Sequence, residues 1–196
     1  MIIVFARAPV PGKAKTRLVP RLGEWRAARL QARLTLHALR TARAAGEVAL
    51  YGTRRHSFFR SLGVAFRLQR GRDLGERMYS AFVDARGPAV LIGTDCPVLT
   101  SADLRRAARW LKGGCDAVLA PAEDGGYALI ALKHPRRELF ENIGWGGPQV
   151  YADTVKKLRG CRWRALRTVW DVDRPEDLDR LRSLRGSSAA RRCARR

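Results

Sequence analysis

Short apolar runs alternate along the chain with longer stretches in which apolar residues return every third or fourth position. IIVFA (2–6), EVALYG (47–52), VAFRLQ (64–69), AVLIG (89–93), DAVLAP (116–121) and YALIAL (127–132) are bounded by Gly, Pro or charged residues, which is the pattern of buried strands. Helices are predicted between them at about 23–45, 54–62, 73–85, 101–112, 148–159 and 175–184. In the first, Leu30, Leu34 and Ala38 recur at i, i+4 and i+8 beside Ala27 and Ala42, so one apolar stripe can lie on a sheet. This βαβα rhythm predicts a three-layer α/β/α sandwich with a mainly parallel sheet, a fold that binds ligands beyond the carboxyl ends of its strands.

A chain of 196 residues supports one sizeable core. The expected organisation is a single domain over 1–184 followed by a basic, disordered tail over 185–196, RGSSAARRCARR, which has no apolar period. No apolar run approaches the ~20 residues of a membrane span. The start, MIIVFARAPVPGK, lacks the basic lead and cleavage site of a secretory signal, so a cytoplasmic location is expected. The cysteines, Cys96, Cys115, Cys161 and Cys193, form no CxxC pair, and His37, His56 and His134 are far apart. Neither a disulfide framework, a structural zinc nor a catalytic cysteine is indicated. Oligomeric state leaves no signal.

The net charge is +21, and residues 1–60 carry thirteen basic residues against the acids Glu24 and Glu47. Such a field attracts phosphates of some kind. Because no helix-turn-helix, RNP or KH pattern accompanies it, specific nucleic-acid recognition is not expected. Small phosphorylated ligands remain.

The candidate chemistry sits where strands end. ARAPVPGKAKTRL (6–18) follows the first strand: Pro11 stiffens it, Gly12 permits close backbone approach, and Arg7, Lys13, Lys15 and Arg17 can neutralise a di- or triphosphate. It lacks the first glycine of a Walker loop. After AVLIG comes Asp95, placed to hold Mg²⁺ or Mn²⁺ against phosphate oxygens, ahead of a helix capped by Thr100 or Ser101. In Asp171-Val172-Asp173-Arg174-Pro175-Glu176, Asp171 is a second candidate metal ligand. Asp173 is split between that role and a capping box with Glu176. Gly71, Asp73, Gly75 and Arg77 join a strand to a helix and suit either recognition of a sugar or base or a plain capped turn. Asp124, before Gly125, Gly126 and Tyr127, is a candidate acceptor-side base, although Asp-Gly is also a strong hairpin signal. Trp145 either stacks on a ring or packs.

Taken together, FARAPVPGKAKTRL, GRDLGERM, LIGTDCPVLT, AEDGGYALIAL and DVDRPEDL resemble a bacterial family of small GT-A-type glycosyltransferases, DUF2064-like and in part linked to arsenosugar biosynthesis. The resemblance spans about 1–184 and departs from the family pattern at Ala128, Gly146-Gly147 and Arg174. It implies a nucleotide-diphospho-sugar transferase fold and a divalent metal near Asp95. Two chemistries fit. In glycosyl transfer, an acceptor hydroxyl displaces a nucleoside diphosphate whose charge the metal and loop stabilise. In nucleotidyl transfer, a substrate phosphate attacks a nucleoside triphosphate and pyrophosphate leaves, with Lys15 spreading the charge. The local residues leave these level, and the family resemblance favours sugar transfer to a small-molecule acceptor. A non-catalytic polyanion or RNA binder is the third possibility.

Overall fold

The computed structural model describes residues 1–184, and the expected disordered tail lies outside the described residues. Seven strands form one sheet: β1 (Ile2–Ala6), β2 (Val48–Gly52), β3 (Ala65–Leu68), β4 (Ala89–Ile92), β5 (Ala117–Pro121), β6 (Tyr127–Leu132) and β7 (Trp163–Ala165). Their order is β3-β2-β1-β4-β6-β5-β7. All neighbours are parallel except where β6 runs against β4 and β5. The β5–β6 connection is too short for a crossover helix, so the chain can only turn back on itself. β7 escapes the apolar pattern because two of its three residues are exposed.

The helices are α1 (Val19–Leu22), α2 (Glu24–Arg43), α3 (Ser57–Arg60), α4 (Leu74–Ala85), α5 (Ser101–Lys112), α6 (Val150–Lys157) and α7 (Asp177–Ser183). Residues alternate across the strands, so each sheet face has its own core. Val4, Leu50, Ile92 and Leu129 pack with Ala38, Leu39, Leu104 and Leu111 of α2 and α5. Ile3, Tyr51, Leu91, Leu119 and Ile130 pack with Met78 and Phe82 of α4 and with Phe140. The predicted sandwich is the observed one.

A third cluster positions the site. Leu18, Leu34, Trp170, Val172 and Leu178 close together and clamp the loop after β1 against the segment before α7. The N-terminus of α5, capped at Thr100 a short turn after Asp95, is held by a full capping box. The Thr100 hydroxyl accepts from the Asp103 N–H at 3.2 Å, and the Asp103 carboxylate accepts from the Thr100 N–H at 3.0 Å. Thr100→Ala should therefore cost about 1 kcal/mol. Thermal melts should show this as a fall of roughly 2–4 °C, and no change would mean that Asp103 holds the helix end unaided.

At the far end the expected capping box between Asp173 and Glu176 does not form. The Asp177 carboxylate instead accepts the backbone N–H groups of Asp173 (2.9 Å) and Arg174 (2.6 Å). The turn is thus closed from inside α7, which leaves the Asp173 side chain to pair with Arg17.

Candidate active site

Three chain segments meet beyond the carboxyl ends of β1, β4 and β5, the crevice in which open α/β sheets bind ligands. The loop after β1 brings Lys15, the turn after β4 brings Asp95, and the segment 169–173 brings Asp171. The last segment is tied down by the backbone, with Val172 N–H donating to the Asp95 carbonyl at 2.8 Å and Glu123 N–H to the Val169 carbonyl at 3.0 Å.

Lys15 is the centre of this junction. Its backbone is left-handed, φ 50° and ψ 46°, a conformation that costs a non-glycine residue energy and persists only where surroundings fix it. The side chain is 3% exposed and runs inward, placing Nζ 2.9 Å from Asp95 Oδ1 and 2.5 Å from the Val172 carbonyl. Asp95 is 43% exposed, so one face of the pair is open to solvent and to a ligand.

Behind Asp95 lies a polar chain that the sequence reading passed over. Gln31 of α2, buried, donates to the Thr94 hydroxyl at 2.9 Å, and Thr94 donates to Asp95 Oδ1 at 3.2 Å. The single Thr94 hydroxyl hydrogen is directed to the carboxylate because its acceptor side is taken by Gln31. The available signal was Gln31 itself, an amide on the apolar stripe of α2 between Ala27 and Thr35.

Asp171 is half-buried, and its carboxyl is pushed up to about 6 by burial first and then by the charges of Asp124 and Asp95. Folding thus favours its protonated form. The penalty is absent at acidic pH and grows as pH rises through the unfolded carboxylate range towards 6. A displacement of this size is worth about 3 kcal/mol in full, and partial solvent access reduces it to ~1–2 kcal/mol. Asp171→Asn should therefore stabilise the protein by that amount at pH 7.5 and by almost nothing at pH 4. Urea melts at both values test this, and equal gains at both would refute it.

Asp124 lies in the β5–β6 turn, as the hairpin signal predicts, and also borders the crevice. Its Oδ1 accepts from the Gly126 N–H at 2.9 Å. Gly125, at φ +87°, has no room for a side chain, because a Cβ would fall 2.0 Å from the Pro148 carbonyl oxygen. The Gly125 carbonyl also accepts from the Tyr151 N–H at 2.8 Å, which joins the turn to α6. Tyr127 is the first residue of β6, with its hydroxyl buried.

The remaining candidates divide. Arg7 and Lys13 are exposed on the first loop, Pro11 is half-buried, and a Cβ on Gly12 would touch the Glu24 carboxylate. Arg17 is drawn to Asp173. Gly71, Asp73, Gly75 and Arg77 build the start of α4: Asp73 accepts from Glu76 N–H at 2.8 Å, and Arg77 Nε donates to the Gly71 carbonyl at 3.1 Å. A Cβ on Gly71 would strike Glu76, and one on Gly75 would strike Trp145. Trp145 is packed, stacked with Phe140 at 6.5 Å between ring centres, and still borders the crevice. Among the described residues no three Asp, Glu, His or Cys side chains converge as a closed metal cage.

The strand order, the ligand crevice and the flanking helices define an α/β protein of the nucleotide-diphospho-sugar transferase fold. The chain belongs to the bacterial family described as "Uncharacterized protein conserved in bacteria (DUF2064)", whose pattern matches residues 34–147. A protein of Desulfovibrio desulfuricans G20, provisionally named a nucleotide-diphospho-sugar transferase, is 32% identical. Its structure superposes with a TM-score of 0.90 over 97% of this chain and 89% of that one. Molybdopterin-guanine dinucleotide biosynthesis protein A of Archaeoglobus fulgidus shares the fold at 14% identity and TM-score 0.60, covering 95% of this chain and 99% of that one. A cytidylyltransferase of Leptospira borgpetersenii does so at 14% identity and TM-score 0.59, covering 94% and 85%. No curated protein matches the chain. Among the described residues no helix is long and apolar enough to cross a membrane.

Proposed function

We propose that the protein is a metal-dependent glycosyltransferase that moves a sugar from a nucleotide-sugar donor to a small-molecule acceptor. The observation that carries this reading is the junction of Lys15 with Asp95 beneath a cationic loop, beside the carboxylates of Asp171 and Asp124. The provisional name of the 32%-identical relative, a nucleotide-diphospho-sugar transferase, supports it.

Asp95 and Asp171 are hard oxygen donors whose like charges oppose one another, which a divalent cation would relieve. Mg²⁺ is commonly held by one or two carboxylates and completed by substrate phosphate oxygens, so the residues present fit Mg²⁺ or Mn²⁺. Once bound, that ion would supply charge neutralisation for a departing diphosphate. Lys15 holds Asp95 in place, and the exposed Lys13 and Arg7 of the same loop offer positive charge to phosphate oxygens. Gln31 and Thr94 fix the Asp95 rotamer from behind. With Oδ1 of Asp124 held by Gly126, its other oxygen is left to take the proton of an attacking hydroxyl.

Nucleotidyl transfer is the second reading, favoured by the density of cations on the loop after β1, which suits a triphosphate. The two separate in a thermal-shift panel of nucleoside triphosphates, diphosphates and nucleotide sugars with Mg²⁺, Mn²⁺ or EDTA. A ligand at a hundredfold excess over its Kd should raise Tm by roughly 5–10 °C. A metal-dependent shift with one nucleotide sugar supports glycosyl transfer, and preference for a triphosphate moves the assignment to nucleotidyl transfer. Binding that ignores metal and collapses with salt would overturn both and leave a polyanion binder.

A further inference from the structure

The cleft beside Asp95 has a composition at odds with the rest of the molecule. It encloses about 290 Å³, the lower end of the range for small-molecule sites. Its deep wall is apolar, built from Phe5, Met78, Leu91 and Ile130, with Trp145 and Val150 at the side. Its polar side chains include the three carboxylates Asp95, Asp124 and Asp171, while among the described residues no Lys, Arg or His lines it. The chain carries 39 Lys and Arg and a net charge of +21, so a cleft without one is a local exclusion that composition does not produce. The neighbouring cation, Lys15, is already committed to Asp95.

This arrangement admits some ligands and rejects others. The cation that Asp95 and Asp171 would hold is taken up by the donor diphosphate, so a phosphate or carboxylate on the acceptor would meet Asp124 and an apolar wall, with no described Lys, Arg or His in the lining to replace its lost hydration. An uncharged molecule with an apolar body gains from burial against Met78, Ile130 and the fixed Trp145 ring, and its hydroxyl can reach the carboxylate rim.

We infer that the acceptor is an uncharged hydroxyl compound with an apolar or aromatic body, bound in this cleft, and that phosphorylated acceptors are excluded. The inference rests on the glycosyl-transfer reading and sharpens it. In the step it implies, the acceptor oxygen forms a bond to the anomeric carbon, whose bond to the donor phosphate oxygen breaks. That electron pair leaves with the nucleoside diphosphate towards the cationic loop, and the hydroxyl proton passes to Asp124.

The protein contains two methionines, Met1 and Met78, and Met78 is 3% exposed in the wall of the cleft. Methyl-¹³C methionine labelling of the full chain therefore gives one resonance that reports on the cleft, assigned with Met78→Leu. The probes are 2-phenylethanol and 2-phenylethyl phosphate, titrated with and without Mg²⁺. The alcohol should move the Met78 methyl saturably in the millimolar range, and the phosphate should need at least tenfold more or have no effect. The inference is overturned if the phosphate moves Met78 at equal or lower concentration, or if neither compound moves it. The nucleotide thermal-shift panel is read on the same sample. A Met78 response without any nucleotide binding would retain the neutral-ligand cleft and sink the transferase reading, whereas nucleotide binding with a silent Met78 would sink the acceptor inference alone.

Discussion

Asp95→Ala should lower metal-dependent turnover of the preferred nucleotide by about two to three orders of magnitude, comparable to the loss of one stabilising contact to a developing oxyanion, because the cation that Asp95 would hold loses a ligand. Asp95 stands directly beyond a buried strand, is aligned from behind by Gln31 and Thr94, and presents an exposed face between Lys15 and the other carboxylates. Far-UV circular dichroism should remain native, because Asp95 lies outside both main cores. Steady-state kinetics with Mg²⁺ or Mn²⁺ check the first expectation, and unchanged turnover would remove Asp95 from the site. A collapse of the native spectrum would instead show that the pair with Lys15 is needed for folding.

The parts of the fold that were legible in the sequence are those in which burial dictates residue type. β1, β4 and β6 are continuous apolar runs because both of their faces are covered, and α2 announces itself through its apolar stripe. β7 left no such trace: three residues with two exposed side chains carry no period. The direction of β6 was readable from the Asp-Gly turn before Tyr127, and the general βα rhythm pointed the other way.

The site divides along the same line. Lys15, Asp95, Asp171 and Asp124 could be singled out because each follows a strand or sits in a turn, where an acid or cation has little structural duty. The burial of Lys15 could not be foreseen, since a lysine among exposed cations reads as one more solvated charge. It is buried because Trp170 and Val172, distant in sequence, close with Leu18 over the loop. Asp173 and Glu176 had the spacing of a capping box, and Asp177, one residue further on, supplied the acceptor instead. Local spacing counts candidates for a hydrogen bond, and only the path of the chain decides which carboxylate reaches the free N–H groups.

Lys15→Met should weaken metal-dependent nucleotide binding by roughly 10- to 100-fold, the equivalent of a charged hydrogen bond worth about 1.5–3 kcal/mol. Methionine keeps the unbranched apolar stem and deletes the charge, so the packing around the loop should survive. Stability should fall by only ~1 kcal/mol, because the Val172 carbonyl loses its donor while Asp95, 43% exposed, remains hydrated. The reverse deletion is harsher. Asp95→Ala leaves the Lys15 cation 3% exposed with a single carbonyl for company. Breaking a fully buried pair in this way costs about 3–5 kcal/mol, and the open face of Asp95 reduces that to ~1–3 kcal/mol here. Adding Lys15→Met to Asp95→Ala should therefore raise the melting temperature above that of Asp95→Ala alone, the reverse of what two independent losses would do. Calorimetry on the four proteins of the cycle measures the coupling. If the two losses simply add, Lys15 and Asp95 do not act as a pair, and the buried lysine would then be held by Val172 and the packing of the third cluster rather than by the carboxylate it faces.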